Sequence, residues 1–346
     1  MTMSATRTES KPALDFLRPI ETELRQVEEL LHAELTSSVK TVFAVSRHIL
    51  DAGGKRLRPS LVLLCARACR PDLSSIASAK EEGSIERAIG IAASVELIHM
   101  ATLMHDDVID GADSRRGQRT ANSYWGNQIS VLAGDYMLAK ATSLLGADGD
   151  PELIRILSQA TISMTEGEIG QIESSGDTDA SMGGYIAIIR NKTAEFMSAC
   201  CRMGAVIGGG SPQMSEALAQ YGLNLGIAFQ ITDDLLDLVG DPAHTGKPVG
   251  GDIHEGKVTL PMILALERVK PADREAMEAI LRGAEVTPAD VEFIRQKVVE
   301  TKAVDETLKV ACEYVGQATD ALESVPQSEA RAALEAVAGH VLRRKA

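Results

Sequence analysis

The sequence predicts an all-α protein, built as a single large helical bundle. Apolar residues recur at three- and four-residue steps along most of the chain, whereas the alternating pattern of a β-strand is nearly absent. Ala, Leu, Ile and Glu are frequent and aromatic residues make up only 3%, a composition that favours helices. Hydrophobic residues account for 45% of the 346 residues, which is enough for a large core.

The periodicity places the elements in order. Helices are predicted at 17–35, 39–50, 61–68, 84–109, 129–145, 151–173, 184–208 and 213–239, with further helical runs from Pro271 that break near Gly283 and Pro326. Asp150-Pro151-Glu152 is a good helix start, because Pro suits the first turn and an acid favours the N-terminal dipole. Residues 113–119 are predicted to form a charged loop. We expect a flexible tail at 1–14 and one domain at 15–346, since no flexible linker divides the chain.

Charge and cysteine content exclude several classes of protein. The chain has 35 basic and 49 acidic residues and a net charge of −14, so it would repel a nucleic acid backbone. Its five cysteines form no CxxC pair, which predicts reduced thiols in a cytoplasmic protein, mostly as small buried hydrophobic residues. No apolar run reaches the roughly 18 residues of a membrane span. A substrate that carries phosphate must therefore be met by local basic clusters or by cations.

The most informative motif is a cluster of three aspartates that occurs twice. The copies are Asp106-Asp107-Val108-Ile109-Asp110 and Asp233-Asp234-Leu235-Leu236-Asp237. Each lies near the C-terminal end of a predicted helix, and at about 100° per residue its three carboxylates share one face. One copy could equally be a solvated acidic surface, but two copies on apolar helices favour a divalent cation. Magnesium fits best, since it takes one or two carboxylates and completes its shell with water and phosphate oxygens.

Positive charge is concentrated at a few points that could meet phosphate. The segment Gly53-Gly54-Lys55-Arg56-Leu57-Arg58-Pro59 places two glycines and three cations before a helix, so backbone and helix N-terminus can approach an anion. Arg115-Arg116-Gly117 follows the first aspartate cluster, and Arg binds phosphate oxygens in pairs. Single lysines are more often surface residues; the candidates are Lys192, Lys247 and Lys257. His99 and His105 precede the first cluster, and either could be a core histidine.

Together these motifs resemble the trans-isoprenyl diphosphate synthase (polyprenyl synthetase) family, from about Phe16 to the C-terminal helices. The motifs are GGKRLRP at 53–59, HDDVID at 105–110, RRG at 115–117, KTA at 192–194, FQITDDLLD at 229–237, GKPVGGD at 246–252 and EGKVTLP at 255–261. The resemblance implies an isoprenoid synthase bundle around a central cavity. Class I terpene cyclases normally replace the second aspartate cluster with a mixed motif, so its intact form favours chain elongation.

The resemblance also implies roles for matching residues in a magnesium-dependent trans-prenyltransferase that adds isopentenyl diphosphate to an allylic diphosphate. Three magnesium ions are expected with substrate bound, ligated by Asp106, Asp110 and Asp233, with Asp107, Asp234 and Asp237 as ligands or their neighbours. The allylic diphosphate would be held by Arg115, Lys192, Lys247 and Lys257. Isopentenyl diphosphate would be held by Lys55, Arg58, His99 and Arg116. Thr193 and Gln230 would lie close to the reacting carbons.

Product length in this family depends on the residues four and five positions before the first aspartate, here Thr102 and Ala101. Because both are small, we expect an open tunnel past Ile98 and a long product, about octaprenyl, for a quinone side chain. The alternatives are that small residues only allow close helix packing, that the product is shorter, as in geranylgeranyl diphosphate synthases, or that the chain is a non-catalytic partner subunit. A homodimer is implied, with only peripheral membrane contact for product release.

Overall fold

The fold is all-α, as predicted. The structure is a computed structural model, and it describes residues 15–70, 79–115, 117–240, 249–283 and 285–343. In chain order the helices are α1 (Glu21–Glu34), α2 (Lys40–Asp51), α3 (Leu57–Ala68), α4 (Ala79–Ile109), α5 (Ala121–Trp125), α6 (Asn127–Asp148), α7 (Pro151–Glu173), α8 (Met182–Ile189), α9 (Glu195–Ile207), α10 (Pro212–Val239), α11 (Gly251–His254), α12 (Leu260–Leu266), α13 (Pro271–Leu281), α14 (Pro288–Glu300), α15 (Ala303–Ala321) and α16 (Glu329–Leu342). Short 3₁₀ turns occupy Asp15–Ile20 and Leu322–Ser324. The predicted tail at 1–14 lies outside the described residues, and the assignment of one domain stays a prediction.

Two predicted elements differ from the structure. The charged loop contains a small antiparallel hairpin, β1 (Ser114–Arg115) and β2 (Gln118–Arg119), whose strands are too short to show any alternation. The helix predicted at 184–208 is divided by a π-helical segment at Arg190–Ala194, between α8 and α9. One inserted residue changes the local hydrogen bonding but hardly changes the apolar pattern, so periodicity could not reveal it.

Local sequence signals explain several helix starts. The Asp150 carboxylate accepts from the Glu152 amide at 3.0 Å, and Pro151 takes the first helical position of α7. The Ser211 hydroxyl caps α10 in the same way, through the Met214 amide at 3.2 Å. Such caps satisfy amides that have no partner within the helix. Asp150 and Ser211 therefore mark the starts of α7 and α10.

The long helices α4 and α10 are the framework that carries both aspartate clusters. α4 packs against α6, while α10 packs against α9 and α15, and α3 lies across α9. Among the described residues, one helix, Gly83–Ile109, is long and apolar enough to span a membrane, but 72% of its apolar 18-residue window is buried in the bundle. That burial is typical of a core helix. Each of the two helices ends at an aspartate cluster, since α4 ends at Ile109 and α10 at Val239.

All five cysteines are free thiols in the structure, and their reduced state in the cell stays a prediction. Cys65, Cys200 and Cys201 are buried between packed helices, where they act as small apolar side chains. Cys312 is exposed, so the expectation of burial is wrong for that residue. Burial raises the pKa of the Cys69 thiol to about 11, which keeps it protonated.

Candidate active site

The first aspartate cluster lies at the C-terminal end of α4, and its three carboxylates point to different partners. Asp107 is 2% exposed and accepts from Arg115 Nε at 2.7 Å. Asp110 Oδ1 lies 3.8 Å from Lys257 Nζ. Burial, together with the nearby Glu168 carboxylate, raises the pKa of Asp106 to about 6. The three therefore do not share one solvated face, because Asp107 is turned into the protein by its bond to Arg115.

The second cluster lies at the end of α10, where Asp234 and Asp237 accept hydrogen bonds from neutral donors. Asp234 is 7% exposed and accepts from the Tyr185 hydroxyl at 2.6 Å and from Gln230 Nε2 at 2.7 Å. Burial nevertheless raises the pKa of Asp234 to about 6, since the two hydrogen bonds only partly offset desolvation. The Asp237 carboxylate accepts from the Asp252 backbone amide at 3.0 Å. Asp233, by contrast, is exposed.

One short segment after residue 249 links the two clusters. Its Asp252 amide holds Asp237, while the Asp252 carbonyl accepts from the Lys257 amide at 2.8 Å. Lys257 then reaches Asp110 and forms an ion pair with Glu255. Burial acts to lower the pKa of Lys257, but these acids together raise it. Lys257 is therefore a charged ammonium group placed between the ends of α4 and α10.

The π-helical segment forms a second link. Lys192 Nζ lies 2.5 Å from Glu168 Oε2, on the side of Asp106, and the Thr193 hydroxyl donates to Gln230 Oε1 at 2.7 Å. Backbone packing places the segment, because a Cβ at Gly167 of α7 would lie 2.4 Å from the Lys192 amide nitrogen. π-Helical insertions are frequent at functional sites. This insertion brings Lys192 and Thr193 to opposite clusters.

The glycine-rich turn before α3 presents fewer cations than its sequence suggests. Lys55 is exposed, and the Arg58 guanidinium carbon lies 5.8 Å from the centre of the Phe196 ring. Arg56 instead points inward to Glu28 and Glu96. His99 is partly buried on α4, while Arg116 and Lys247 lie outside the described residues. Of the three cations in this segment, Arg56 is therefore bound to acidic residues of α1 and α4.

The carboxylates suit magnesium, although they do not form a closed cage. Among the described residues, no group of three or more His, Cys, Asp and Glu side chains is placed to hold a metal ion. Magnesium does not require one, because it binds through one or two carboxylates and completes its shell with water and substrate phosphates. Burial, which raises the pKa of Asp106, disfavours its charged form, and a bound cation would offset that cost. The residues therefore fit an ion that arrives with a diphosphate.

Comparison with known proteins decides the family. The family model described as Polyprenyl synthetase matches residues 39–298. The chain belongs to this family. It is 34% identical to heptaprenyl diphosphate synthase component 2 of Bacillus subtilis, over 97% of this chain and 91% of that protein. It is 36% identical to a short chain isoprenyl diphosphate synthase of Methanothermobacter thermautotrophicus, over 93% and 98%.

A solved structure of a polyprenyl synthase has the same fold as this chain. The Caulobacter crescentus enzyme, crystallised with calcium and isoprenyl diphosphate, superimposes with a TM-score of 0.90 at 37% identity and covers 98% of this chain and 100% of that one. Polyprenyl synthetases are metal-dependent trans-prenyltransferases that use isopentenyl diphosphate and an allylic diphosphate. This chain is therefore an enzyme of that class, with the isoprenoid synthase fold.

In this polyprenyl synthetase, the predicted chain-length residues occupy two faces of α4. Ala101 is buried and lies about 20° around the helix from Ser94. The Ser94 hydroxyl donates to the Ala141 carbonyl of α6 at 2.9 Å, so this face packs against α6. Thr102 lies about 40° from Asp106, on the face that carries the site. Ile98, the third predicted chain-length residue, is also buried.

Sequence reasoning missed several groups in the site of the polyprenyl synthetase. Glu168 and Gln171 both contact Lys192, the latter at 2.6 Å, and their spacing of three residues on one helix face was a usable signal. Tyr185, which holds Asp234, had no sequence signal. Asp252 was in a recognised motif without an assigned role. His105 lies 3.2 Å from the Val131 carbonyl of α6, in keeping with a packing role.

Proposed function

We propose that this polyprenyl synthetase makes a long-chain all-trans polyprenyl diphosphate, about octaprenyl, for a quinone side chain, and that it requires Mg²⁺. One observation supports prenyl transfer with Mg²⁺: the two aspartate clusters lie at the ends of α4 and α10 and are linked through Lys192 and Lys257. Carboxylates that could bind metal ions therefore lie beside cations that could bind phosphate. A diphosphate between the clusters would meet both kinds of group. The small residues Ala101 and Thr102 before the first cluster support a long product.

Asp106, Asp110 and Asp233 would hold the magnesium ions, three with substrate bound. The ions would neutralise charge on the leaving pyrophosphate as the allylic carbon–oxygen bond breaks. Asp107, Asp234 and Asp237 have structural partners in Arg115, Tyr185 and the Asp252 amide, which suits ligands held in fixed orientations.

The cations of the site would bind the allylic diphosphate directly. Lys192, Lys257 and Arg115 each contact a carboxylate in the structure: Glu168, Glu255 and Asp107. An arriving diphosphate with its ions would neutralise those acids and offer the cations phosphate oxygens instead. Lys247, a further candidate from the sequence, completes this proposed set.

Thr193 and Gln230 would steady the allylic cation. The Thr193 hydroxyl donates to Gln230 Oε1, so both dipoles are fixed beside Asp234. An oriented amide and hydroxyl can stabilise positive charge without capturing it. The alkene of isopentenyl diphosphate then attacks, and the departed pyrophosphate takes the released proton.

We predict that Gln230→Leu lowers kcat about tenfold, because the amide dipole beside the allylic cation is lost. Undiminished turnover of the variant would show that Gln230 does not stabilise the cation.

We further propose that the enzyme is a cytoplasmic homodimer that meets membranes only peripherally, when its apolar product leaves. Exposed apolar side chains support pairing, because Leu132 of α6 is 67% exposed and Ile162 and Ile169 of α7 are each 51% exposed. Such residues on neighbouring helices are typical of an interface. Light scattering should give twice the chain mass, and Ile162→Asp should yield monomers. A wild-type monomer would contradict the proposal.

Product analysis tests the function. Purified protein is incubated with farnesyl diphosphate, labelled isopentenyl diphosphate and Mg²⁺, and products are separated by length. We expect a ladder that ends near octaprenyl and that EDTA abolishes. A ladder that ends at geranylgeranyl would favour the shorter-chain alternative. No product from any allylic primer would favour the non-catalytic subunit, an arrangement for which the intact motifs give no support.

A further inference from the structure

Arg56 has an unusual backbone for a residue with a large side chain. It immediately precedes α3, with φ +47° and ψ +38° in the left-handed region. Among the non-glycine residues that the structure describes, only Lys302 shares a positive φ. A side chain other than glycine is strained there, and such strain persists only where surrounding contacts enforce it. The contacts that enforce it therefore indicate what the turn is built for.

Those contacts form a fork that joins four elements. Arg56 Nε donates to Glu28 Oε1 of α1 at 2.5 Å, and Nη2 donates to Glu28 Oε2 at 3.2 Å. Nη1 donates to Glu96 Oε1 of α4 at 2.7 Å. Nη2 also reaches the Leu50 carbonyl, at the end of α2, at 3.4 Å. One guanidinium thus fixes the turn before α3 against three other helices.

Stability alone does not explain this fork. The side chains of Arg56 and Glu96 are only 10% and 4% exposed, so both charges have lost most of their hydration. A buried ion pair is weak evidence for stability, since apolar residues of similar volume are often as good. Here the pair also holds a strained backbone. We therefore attribute to the ion pair a role in fixing the conformation of the turn before α3.

The fork is adjacent in sequence to three of the residues predicted to hold isopentenyl diphosphate. Lys55 precedes Arg56 in the turn, and Arg58 follows two residues later in the first turn of α3. His99 lies one helical turn beyond Glu96 on α4. We propose that Arg56 and Glu96 are positioning residues, which hold these three side chains at the spacing that the isopentenyl diphosphate headgroup requires. This inference rests on the proposed function. Neither residue touches the substrate in this account.

The chain offers a matched control. Arg67, at the other end of α3, forms an ion pair with the buried Glu23 of α1, so it joins the same two helices as Arg56 and Glu28. Its backbone is helical and its sequence neighbours are not predicted ligands. Loss of this pair should reduce thermal stability without affecting either substrate.

The test measures both substrates in Glu96→Gln, Arg56→Lys and Arg67→Gln. We expect Glu96→Gln to raise the KM and the Kd for isopentenyl diphosphate about tenfold or more, with the KM for farnesyl diphosphate and kcat within about twofold. Arg56→Lys, which keeps the charge but loses the fork, should give a smaller rise of the same kind. Arg67→Gln should lower Tm and leave both KM values unchanged.

Several results would overturn the inference. Equal rises in both KM values, or a lower Tm with wild-type KM values, would make the fork a purely structural contact. If Glu96→Gln does not fold, the KM of Arg56→Lys for isopentenyl diphosphate is the deciding measurement. If wild-type protein makes no product, the proposed function fails instead, and calorimetric binding of isopentenyl diphosphate still tests the fork. An unchanged Kd in a folded variant would then reject it.

Discussion

The two aspartate clusters have the same sequence pattern but different surroundings. In the first, Asp107 and Asp110 lie against the cations Arg115 and Lys257, and Lys192 lies on the side of Asp106. In the second, Asp234 takes its hydrogen bonds from a tyrosine and an amide, both neutral. Yet burial raises the pKa of Asp106 and of Asp234 alike to about 6.

This difference in surroundings suggests different roles for the two clusters in binding substrate and metal. Cations beside the first cluster can move from carboxylate to diphosphate when metal ions arrive, so they contribute to substrate binding. Neutral donors cannot neutralise a phosphate, and those at the second cluster fix carboxylate orientation instead. Both clusters would hold metal ions, but the cations beside the first would add affinity for the allylic diphosphate, and the neutral donors to Asp234 would add affinity for metal at the second.

The largest expected effect comes from removing one carboxylate from either cluster. Asp106→Ala and Asp233→Ala should each lower kcat at least about 10³-fold, because charge on the leaving pyrophosphate is then less well stabilised. Steady-state turnover with farnesyl diphosphate measures this. Asp135→Ala, an exposed acid on α6, is the control and should keep wild-type turnover. A variant of one cluster that remained active would show that only the other cluster holds essential ions.

The next effect concerns the pocket below the first cluster. Thr102→Tyr should shorten the product, because a ring on the Asp106 side of α4 would block the tunnel. Ala101→Tyr would also press on α6, so it should lower Tm as well. Chromatography of products and a thermal melt separate the two effects. Full-length product from Thr102→Tyr would show that the tunnel runs elsewhere.

A smaller effect separates the cation contacts from the neutral contacts. Arg115→Gln should raise the KM for farnesyl diphosphate about tenfold, whereas Tyr185→Phe should raise the Mg²⁺ concentration for half-maximal rate by a similar factor. In each variant the other constant should change by a smaller factor, although Arg115 also holds Asp107. Initial rates over a grid of substrate and Mg²⁺ give both constants. Identical behaviour of the two variants would contradict the division of work between the clusters.

The smallest effect is a dependence of stability on pH. Asp106 and Asp234 have raised pKa values of about 6 in the fold, against an ordinary value of 3.8. The metal-free fold thus binds more protons than the unfolded chain in this window, and its stability falls as pH rises from about 4 to 6. Mg²⁺ with pyrophosphate should therefore raise Tm by several degrees more at pH 8 than at pH 5. Equal shifts at both values would contradict the proposed ligands.

Sequence patterns predicted the helices and both clusters because periodicity and charge are local properties. Three features could not be predicted that way. The π-helical segment at 190–194 depends on packing against Gly167, and the hydrogen bond between Tyr185 and Asp234 joins residues far apart in sequence. The inward turn of Arg56 depends on Glu96, one of many acids in the sequence. In each case the deciding partner lies on another helix.

The central claim is that both clusters hold metal ions around one diphosphate. A crystal structure with Mn²⁺, isopentenyl diphosphate and an unreactive thio analogue of farnesyl diphosphate tests it most directly, because Mn²⁺ gives anomalous signal. We predict peaks at Asp106 and Asp110 and a further peak at Asp233, all bridged by the same diphosphate. A diphosphate bound with metal at one cluster alone would contradict the account.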